Sequence, residues 1–280
     1  MTLGPFGPAR LVEKLPVEHV AAMYRAKCGY DVMPYFGDIR TLDLFECNTT
    51  GYRYWQPQNA AGDESFYRGL SAAWQNYYQE WRWEYGPALS LLRPSHSMLE
   101  IGSGRGYFLR LTEGLIRSAM GLELNTEAIA NKVTTWNILP SSVEEAAKTR
   151  REQFDVVCSY QVLEHVVDPA SFIRSSIDCA RPGGLVLFST PNANNKIFRN
   201  RADAFDLPPH HMGQFSVAVY RKIAALHGLK LRAVFQQGRF VEIRSRDEIG
   251  RRSLAKRILN AVHRVFRGPG QTVLVVFQKP

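Results

Sequence analysis

The chain has 280 residues, of which 45% are hydrophobic and 22% are charged. These values are those of an ordinary globular protein, and the length allows one large domain with an appendage or two modest domains. No apolar run approaches the roughly 18 residues needed to cross a bilayer, and the N-terminus lacks a signal-peptide core. We therefore expect a cytoplasmic protein.

Cysteine spacing and charge distribution narrow the choice of partners. The four cysteines form no C-x-x-C pair, so we expect neither disulfides nor zinc. The formal net charge of +9 is uneven, because residues 237–270 contain nine Lys or Arg against three Asp or Glu. Such a charge bears on association rather than on fold, and the rest of the chain is nearly balanced.

Residues 1–92 are rich in aromatic residues and are predicted to form an irregular N-terminal extension. Within it, residues 51–85 carry eleven aromatic residues in 35 positions. Their spacing predicts a helix over Asp63–Tyr85, capped by Asp63 or Ser65. Such density usually reflects packing against a neighbouring domain, and the alternative is a lid that closes over a cofactor and stacks on an acceptor such as a sugar.

Strand and helix patterns alternate from about residue 95 to residue 236, and a last strand follows the basic stretch. This alternation predicts a parallel sheet with helices on both faces. The predicted strands are Ser97–Ile101, Ala119–Leu124, Asn137–Leu139, Phe154–Tyr160, Leu185–Thr190, Leu229–Phe235 and Thr272–Gln278, the last at or near an edge. The predicted helices are Tyr107–Ile116, Thr126–Val133, Pro169–Ala180 and Ser216–His227, and a turn is predicted at Arg181–Gly184.

A glycine turn follows the first of these strands. Gly102, Gly104 and Gly106 there would let a ligand approach bare backbone at the positive end of a helix. Glu123 ends the next strand, 19 residues after Gly104, where a carboxylate can accept hydrogen bonds from both ribose hydroxyls. A dinucleotide site has a small residue at the position of Tyr107. A tyrosine there would obstruct the pyrophosphate. The turn and the acid together indicate an adenosine ligand.

Four segments in this region resemble, in the correct order, the motifs of the class I S-adenosylmethionine (SAM)-dependent methyltransferases. They are Leu99–Gly106 (LEIGSGRG), Gly121–Leu124 (GLEL), Phe154–His165 (FDVVCSYQVLEH) and Arg181–Gly184 (RPGG). The resemblance implies an α/β, Rossmann-like fold with a mostly parallel seven-stranded sheet, to which the N-terminal extension is added. It also implies SAM as the cofactor, and it leaves the methyl acceptor open.

The resemblance assigns cofactor-binding roles by position. It implies that the glycine turn holds the methionine part of SAM, that Glu123 holds the ribose, and that Ser142–Glu144 lies at the adenine edge. Glu144 can equally be a solvated residue at the start of a helix. Gln161 would lie beside the reaction centre, and Glu100 would organise the turn. The predicted cofactor-binding residues are Glu100, Gly102, Ser103, Gly104, Gly106, Glu123, Leu124, Ser142, Val143 and Gln161.

Three histidines are candidates for catalysis, because transfer to a hydroxyl requires alignment and removal of a proton. His165 follows the fourth strand. In the resembling family a histidine at this position is frequent in members that act on quite different acceptors, which suggests a structural or gating role. His210 and His211 lie between the fifth strand and the next helix, where that family often carries acceptor-binding residues. We expect one of this pair to be a general base or an acceptor contact, with helix capping as the structural alternative. The adjacent pair lacks metal-ligand spacing on a helix, so no metal is expected.

Two flanking segments bear on the partners. Cys47–Trp55 resembles the N-terminal extension of some bacterial methyltransferases associated with surface-glycan synthesis, although only Cys47 remains of their zinc-binding cysteines. Gly250–Arg267 has six Lys or Arg, no acid and an apolar stripe. This segment is interpreted as a packed helix with a solvated basic face, as a peripheral contact with the anionic inner membrane face, or as an RNA contact.

The sequence thus predicts a SAM-dependent methyltransferase acting on a hydroxyl of a saccharide or related small metabolite. Its parts would be an extension or lid at 1–92 and a methyltransferase domain at 93–280 that includes a basic insertion at 237–270. An RNA methyltransferase is the alternative enzyme, but the fourth strand lacks the Pro-Pro-aromatic ending usual for amino-methylating DNA enzymes, and we do not expect a nucleic-acid partner. A SAM-binding regulatory protein without turnover is the alternative outside enzymes.

Overall fold

The structure is a computed structural model that describes residues 2–74, 77, 79–195, 203–237 and 270–280. These residues form two β-sheets with helices packed around them. The strands are β1 (Thr2–Gly4), β2 (Gly7–Pro16), β3 (Thr41–Cys47), β4 (Arg53–Gln56), β5 (Ser97–Ile101), β6 (Ser118–Leu122), β7 (Asn137–Leu139), β8 (Phe154–Tyr160), β9 (Ala180–Pro191), β10 (Gly213–Gln214), β11 (Lys230–Gln236) and β12 (Thr272–Gln278). The helices are α1 (Val17–Cys28), α2 (Glu64–Ala73), α3 (Tyr85–Leu89), α4 (Tyr107–Leu111), α5 (Thr126–Ala130), α6 (Val143–Thr149), α7 (Pro169–Cys179) and α8 (Val217–Leu226).

The larger sheet has the predicted mostly parallel, seven-stranded architecture. Its strand order is β11-β12-β9-β8-β5-β6-β7. Strands β5 to β9 are parallel, whereas β12 runs antiparallel to both β9 and β11. Every residue of β5 and β8 is buried, as expected for central strands covered on both faces. The carboxyl ends of these strands define the edge at which open α/β sheets bind ligands.

Helices in this half are shorter than their apolar patterns suggest. The helix predicted to continue to Ile116 ends at Leu111, where the Thr112 hydroxyl donates to the carbonyl of Leu109 and Gly114 adopts a left-handed φ of 74°. The segment Arg181–Gly184, predicted as a turn, lies inside β9, and its pairing with β8 shifts register there. Local hydrogen bonding therefore decides boundaries that side-chain periodicity leaves open.

The N-terminal extension is regular, so the prediction of an irregular segment was wrong. It forms an antiparallel sheet in the order β1-β2-β3-β4-β10, and β10 comes from the loop that carries His210 and His211. Asp63 caps α2 as predicted, but this helix ends at Ala73. A hydrophobic core fills the extension, and four aromatic residues of 51–85 belong to it or pack against it, namely Trp55, Phe66, Tyr67 and Tyr77. Its largest fully buried members include Trp55, Tyr24, Phe36 and Phe66.

Two predictions are not tested by the described residues. The basic amphipathic segment at 250–267 lies outside them, as does most of the predicted insertion at 237–270. The boundary at residue 92 stays a prediction. Among the described residues, no helix is long and apolar enough to span a membrane.

Asp155 joins β8 to β5 through a buried hydrogen-bond network, and its loss should be costly. Its carboxylate accepts from the backbone N–H of Ser97 at 2.7 Å and from the Ser97 hydroxyl at 2.9 Å, and it pairs with Arg181. Burial raises the pKa of Asp155, but the Ser97 hydrogen bonds and the charge of Arg181 outweigh burial and hold the pKa below its ordinary value. Because the folded-state pKa is depressed, the stabilisation is present above the unfolded pKa of about 3.9 and is lost as pH falls through the folded pKa.

We therefore expect Asp155→Asn to lower the free energy of unfolding by about 2 kcal/mol at neutral pH, and the difference to shrink in acid. Urea unfolding at pH 7 and at pH 3.5 measures both effects. Asp178→Asn is the matched control, because Asp178 pairs with the exposed Arg151 and should contribute at most about 1 kcal/mol. Equal losses for the two variants at pH 7 would contradict the prediction.

Candidate functional site

A cavity of about 890 Å³ opens at the carboxyl edge of β5, β6 and β8. One end is lined by the glycine turn and by the loops after β6 and β7. The other end is lined by the loop after β8, the loop that carries His210 and His211, and aromatic residues of the N-terminal extension. Its volume lies within the roughly 300–1,000 Å³ typical of small-molecule sites.

The glycine turn presents bare backbone to this cavity. Gly102, Gly104 and Gly106 have φ values of 70°, 55° and 80°, in the left-handed region that favours glycine. A Cβ at Gly102 would lie 2.4 Å from a methyl carbon of Val162, and one at Gly106 would lie 2.6 Å from a methyl carbon of Thr134. Both conformation and space therefore require glycine at these two positions.

Glu123 anchors the turn from the end of β6. One carboxylate oxygen accepts from the backbone N–H of Gly104 at 2.8 Å, and the other accepts from Asn125 at the same distance. Each carboxylate oxygen has a second lone pair, so both can still accept a hydrogen bond from a ligand. The predicted ribose-binding acid thus lines the cavity and has the capacity for two hydroxyls.

Glu100 is buried beneath the turn and has an unsatisfied oxygen. The residue is 3% exposed and lines the cavity, and its Oε2 atom has no hydrogen-bond partner among the described residues. Burial and the neighbouring charge of Glu123 raise the pKa of Glu100 well above its ordinary value. The ammonium group of a bound amino acid would satisfy this oxygen, so the residues present fit the methionine part of SAM.

The loops after β6 and β7 form the opposite wall of this end. Leu124 is 70% exposed and lines the cavity together with Ser142, Val143 and Glu144. Ser142 also has a structural role, because its hydroxyl accepts from the backbone N–H of Glu145 and caps α6. Leu124 and Val143 are apolar groups of the kind that can contact a purine ring.

Gln161 lines the cavity after β8, but its side chain is held by the protein. Its φ is 55°, and its amide nitrogen donates to Glu84 at 2.9 Å and to the Ser189 hydroxyl at 2.8 Å. Glu84 is 2% exposed and was not among the predicted site residues. Its sequence signal is an acid between two aromatic residues, Trp83 and Tyr85. This network ties the N-terminal extension to the middle of the larger sheet.

The three histidines predicted to take part in catalysis come together at the far end of the cavity. The ring of His165 lies 4.5 Å from that of His210 and 4.8 Å from that of His211, between centroids, and the rings of His210 and His211 stack at 4.4 Å. The backbone explains the contact, because the N–H groups of Met212 and Gly213 donate to the carbonyl of Glu164 at 2.8 and 2.9 Å. We call His165, His210 and His211 the histidine cluster.

Backbone carbonyls orient two of these rings. Nδ1 of His165 lies 2.7 Å from the carbonyl oxygen of His210, and Nδ1 of His210 lies 2.9 Å from that of Phe205. A carbonyl oxygen only accepts, so both Nδ1 atoms carry hydrogen and both Nε2 atoms carry a lone pair. Burial and the nearby His211 lower the pKa of His165 to about 3 and that of His210 well below its ordinary value. Both imidazoles are therefore neutral at physiological pH.

Glu164 is a buried acid at the same end, and it was not predicted as a site residue. It is 1% exposed, it lines the cavity, and neither carboxylate oxygen has a hydrogen-bond partner among the described residues. Burial raises the pKa of Glu164 to about 7. Its sequence signal is an acid between an apolar strand end and His165.

Aromatic side chains of the extension complete this wall. The Tyr67 hydroxyl lies 3.2 Å from Nδ1 of His165, and the Tyr77 hydroxyl lies 3.2 Å from Nε2 of His210. Trp74 and Phe205 also line the cavity there. The extension therefore both packs its own core and supplies part of the site.

Comparison with known proteins identifies the family. The model of the family described as "Methyltransferase domain" matches residues 73–234, which is more than half of the chain. The chain is 33% identical over 112 residues to a ubiquinone biosynthesis O-methyltransferase of Hydrogenovibrio crunogenus and 36% identical over 114 residues to that of Nitrosospira multiformis. Each match covers 36% of this chain and 45% of the relative, so the chain spans less than half the length of these curated relatives.

Solved structures share the fold at low sequence identity. A protein from Pyrococcus horikoshii matches 78% of this chain and all of its own, with a TM-score of 0.55 at 11% identity. A SAM-dependent methyltransferase from Thermotoga maritima, described as a possible histamine N-methyltransferase, matches 77% of this chain and 98% of its own, with a TM-score of 0.53 at 16% identity. The family match, together with the glycine turn and the acid after β6, shows that the chain belongs to the class I SAM-dependent methyltransferases.

Proposed function

We propose that this protein transfers a methyl group from SAM to a hydroxyl oxygen of a small ring-shaped acceptor, a saccharide or a related metabolite. The observation that carries the proposal is the single cavity joining the glycine turn to the aromatic residues and the histidine cluster. One end offers a glycine turn and the carboxylates of Glu100 and Glu123 to a nucleoside with an amino acid, and the other offers aromatic rings beside proton acceptors.

The cofactor end would work through backbone and carboxylates. Bound SAM would supply an electrophilic methyl group, whose carbon bonds to the acceptor oxygen as its bond to sulfur breaks and S-adenosylhomocysteine leaves. The backbone of the glycine turn and the Glu100 carboxylate would hold the methionine part, and Glu123 would accept from the ribose. Leu124 and Val143 would enclose the base. These contacts orient the cofactor so that the reaction depends mainly on alignment of the acceptor.

The acceptor end would orient the hydroxyl and receive its proton. Trp74, Tyr77 and Phe205 offer ring faces on which the apolar face of a sugar ring can stack. We assign the hydroxyl contact to His210 or His211, whose lone pairs can accept its hydrogen bond and its proton. His165 would position the pair, because its Nδ1–H donates to the carbonyl of His210.

The names of the relatives support an oxygen acceptor of small size. The proteins that are 33% identical over 112 residues and 36% identical over 114 residues to this chain are O-methyltransferases of ubiquinone biosynthesis. Saccharides are favoured by the resemblance of Cys47–Trp55 to extensions associated with glycan synthesis, and phenols are the competing class.

An acceptor panel tests the proposal. The full chain is incubated with SAM carrying a trideuterated methyl group and, separately, with nucleotide-linked sugars, with catechols and with tRNA. We expect S-adenosylhomocysteine (SAH) release and a labelled methyl ether with the nucleotide-linked sugars, whereas labelling of the catechols alone would reject the saccharide in favour of a phenol. Gly102→Val is the inactive control, because the new side chain in the glycine turn would clash with Val162 after β8. Labelling of tRNA alone, or SAH binding without turnover on any acceptor, would overturn the proposal.

A further inference from the structure

We propose that the histidine cluster of His165, His210 and His211 is a binding site for one divalent late first-row transition metal ion, with Zn²⁺ as the probe. The site would lie at the acceptor end of the cavity. The inference deepens the proposed function, on which it rests only for the location of the acceptor. It also replaces the expectation of no metal, which considered the adjacent pair on the chain without His165.

The distances within the cluster suit a metal site that tightens on binding. One nitrogen of each histidine can be chosen so that all three lie within 4.8 Å of one another. Tetrahedral zinc with bonds of about 2.0–2.1 Å needs nitrogens about 3.3 Å apart, so the ligands would close by roughly 1.5 Å at most. Rotation of His211, whose Nδ1 has no hydrogen-bond partner among the described residues, can supply most of this movement.

The hydrogen bonds of the cluster are those that metal-binding histidines use. His165 and His210 each donate Nδ1–H to a backbone carbonyl, which fixes the ring and leaves Nε2 as the ligand atom. Nδ1 of His211 has no hydrogen-bond partner among the described residues and lies 3.4 Å from a carboxylate oxygen of Asp206. Each ring thus has an oxygen on one side and a nitrogen on the other. At His210 a metal ion would displace the Tyr77 hydroxyl, which lies 3.2 Å from Nε2.

The buried carboxylate of Glu164 supports a cation site independently of the histidines. Its carboxylate is buried, both of its oxygens lack hydrogen-bond partners, and one lies 3.9 Å from Nε2 of His165. A buried carboxylate without hydrogen bonds is costly unless a cation faces it. A divalent ion held by the three imidazoles would provide that charge, with Glu164 as a fourth ligand or as a neighbouring counter-ion.

The donor set selects the class of metal. Imidazole nitrogens favour Zn²⁺, Co²⁺, Ni²⁺, Cu²⁺ and Fe²⁺, whereas Mg²⁺ and Ca²⁺ favour oxygen ligands. Three histidines with an open position form the donor set of a catalytic rather than a structural zinc site. An acceptor hydroxyl in that position would be polarised and would lose its proton to solvent at the cavity mouth before attacking the methyl carbon. The cluster would then act through the cation instead of as a base.

Metal binding by the untagged full chain tests the inference. After removal of metal with EDTA, Zn²⁺ binding is measured by equilibrium dialysis, and Co²⁺ binding by its visible absorption. We expect one ion per chain and a Co²⁺ spectrum of tetrahedral intensity. His165→Phe and His211→Phe keep an aromatic ring but remove a ligand, and each should weaken Zn²⁺ binding at least ~100-fold. His19→Ala, an exposed site on α1, and Cys28→Ser, which removes a half-buried thiol, should leave binding unchanged.

SAH binding identifies variants that fold, and His→Asn at the same position replaces any phenylalanine variant that does not. The inference is overturned if the chain binds SAH but no Zn²⁺, or if His211→Phe binds Zn²⁺ as tightly as the parent chain. Two further results separate the metal site from the proposed acceptor. Zn²⁺ binding at the cluster without methylation of any hydroxyl would leave the metal site and reject the acceptor, whereas methylation of a hydroxyl by a chain that binds no Zn²⁺ would leave the acceptor and reject the metal site.

Discussion

Replacing His210 and His211 together by alanine should lower turnover at least ~100-fold while SAM affinity changes less than about threefold. Both side chains lie at the acceptor end of the cavity, and the glycine turn forms the other end. The loss is expected whether the pair accepts the hydroxyl proton or binds a cation, because either role requires the ring nitrogens. Steady-state SAH release with the best acceptor measures turnover, and calorimetry with SAH measures cofactor binding.

Two further variants make this experiment specific. His19→Ala removes an exposed histidine on α1 and should keep full turnover. Each single replacement should lower turnover about as much as the double replacement, because the two rings stack and share His165 as a neighbour. Unchanged turnover in the double variant, with SAM still bound, would remove the pair from catalysis.

Glu123→Gln should weaken SAM binding by about 100-fold, which corresponds to roughly 2.7 kcal/mol. The carboxylate accepts from the N–H groups of Gly104 and Asn125, and we propose that it also accepts from the ribose. The glutamine amide keeps the shape of the carboxylate but replaces one oxygen by an NH2 group, which cannot accept a hydrogen bond from the N–H group that it faces. Calorimetric titration with SAM and with SAH measures the loss.

Glu127→Gln is the matched control for this replacement. Glu127 lies four residues further along the chain, on the exposed side of α5, so its neutralisation changes the local charge by the same amount. SAM affinity should be unchanged in this variant. Equal affinity for Glu123→Gln and the parent chain would reject the ribose contact.

Local patterns determined most of the cofactor half. The β-branched run of β8, the left-handed glycines of the turn and the acid after β6 each express a short-range requirement of backbone or ligand. Four strand predictions, those of β5, β7, β8 and β12, coincide with the structure to the residue. The order of these elements along the chain also limits the sheet to few topologies, so the fold class could be predicted.

Tertiary contacts decided the rest. The pairing of β4 with β10 joins segments about 160 residues apart, and no local pattern announces a two-residue strand such as Gly213–Gln214. Glu84 and Glu164 could not be predicted as site residues, since an acid is read from sequence as solvated unless its burial is known.

The histidine cluster shows the same division within one site. The sequence by itself determined that His165 follows a strand at the ligand-binding edge and that His210 and His211 share a loop after the fifth strand of that sheet. Only the tertiary structure decided that the three rings meet, through the N–H groups of Met212 and Gly213 bound to the carbonyl of Glu164. Residues distant along the chain become ligands or bases together only when the backbone hydrogen bonds of the folded state hold them within a few ångströms.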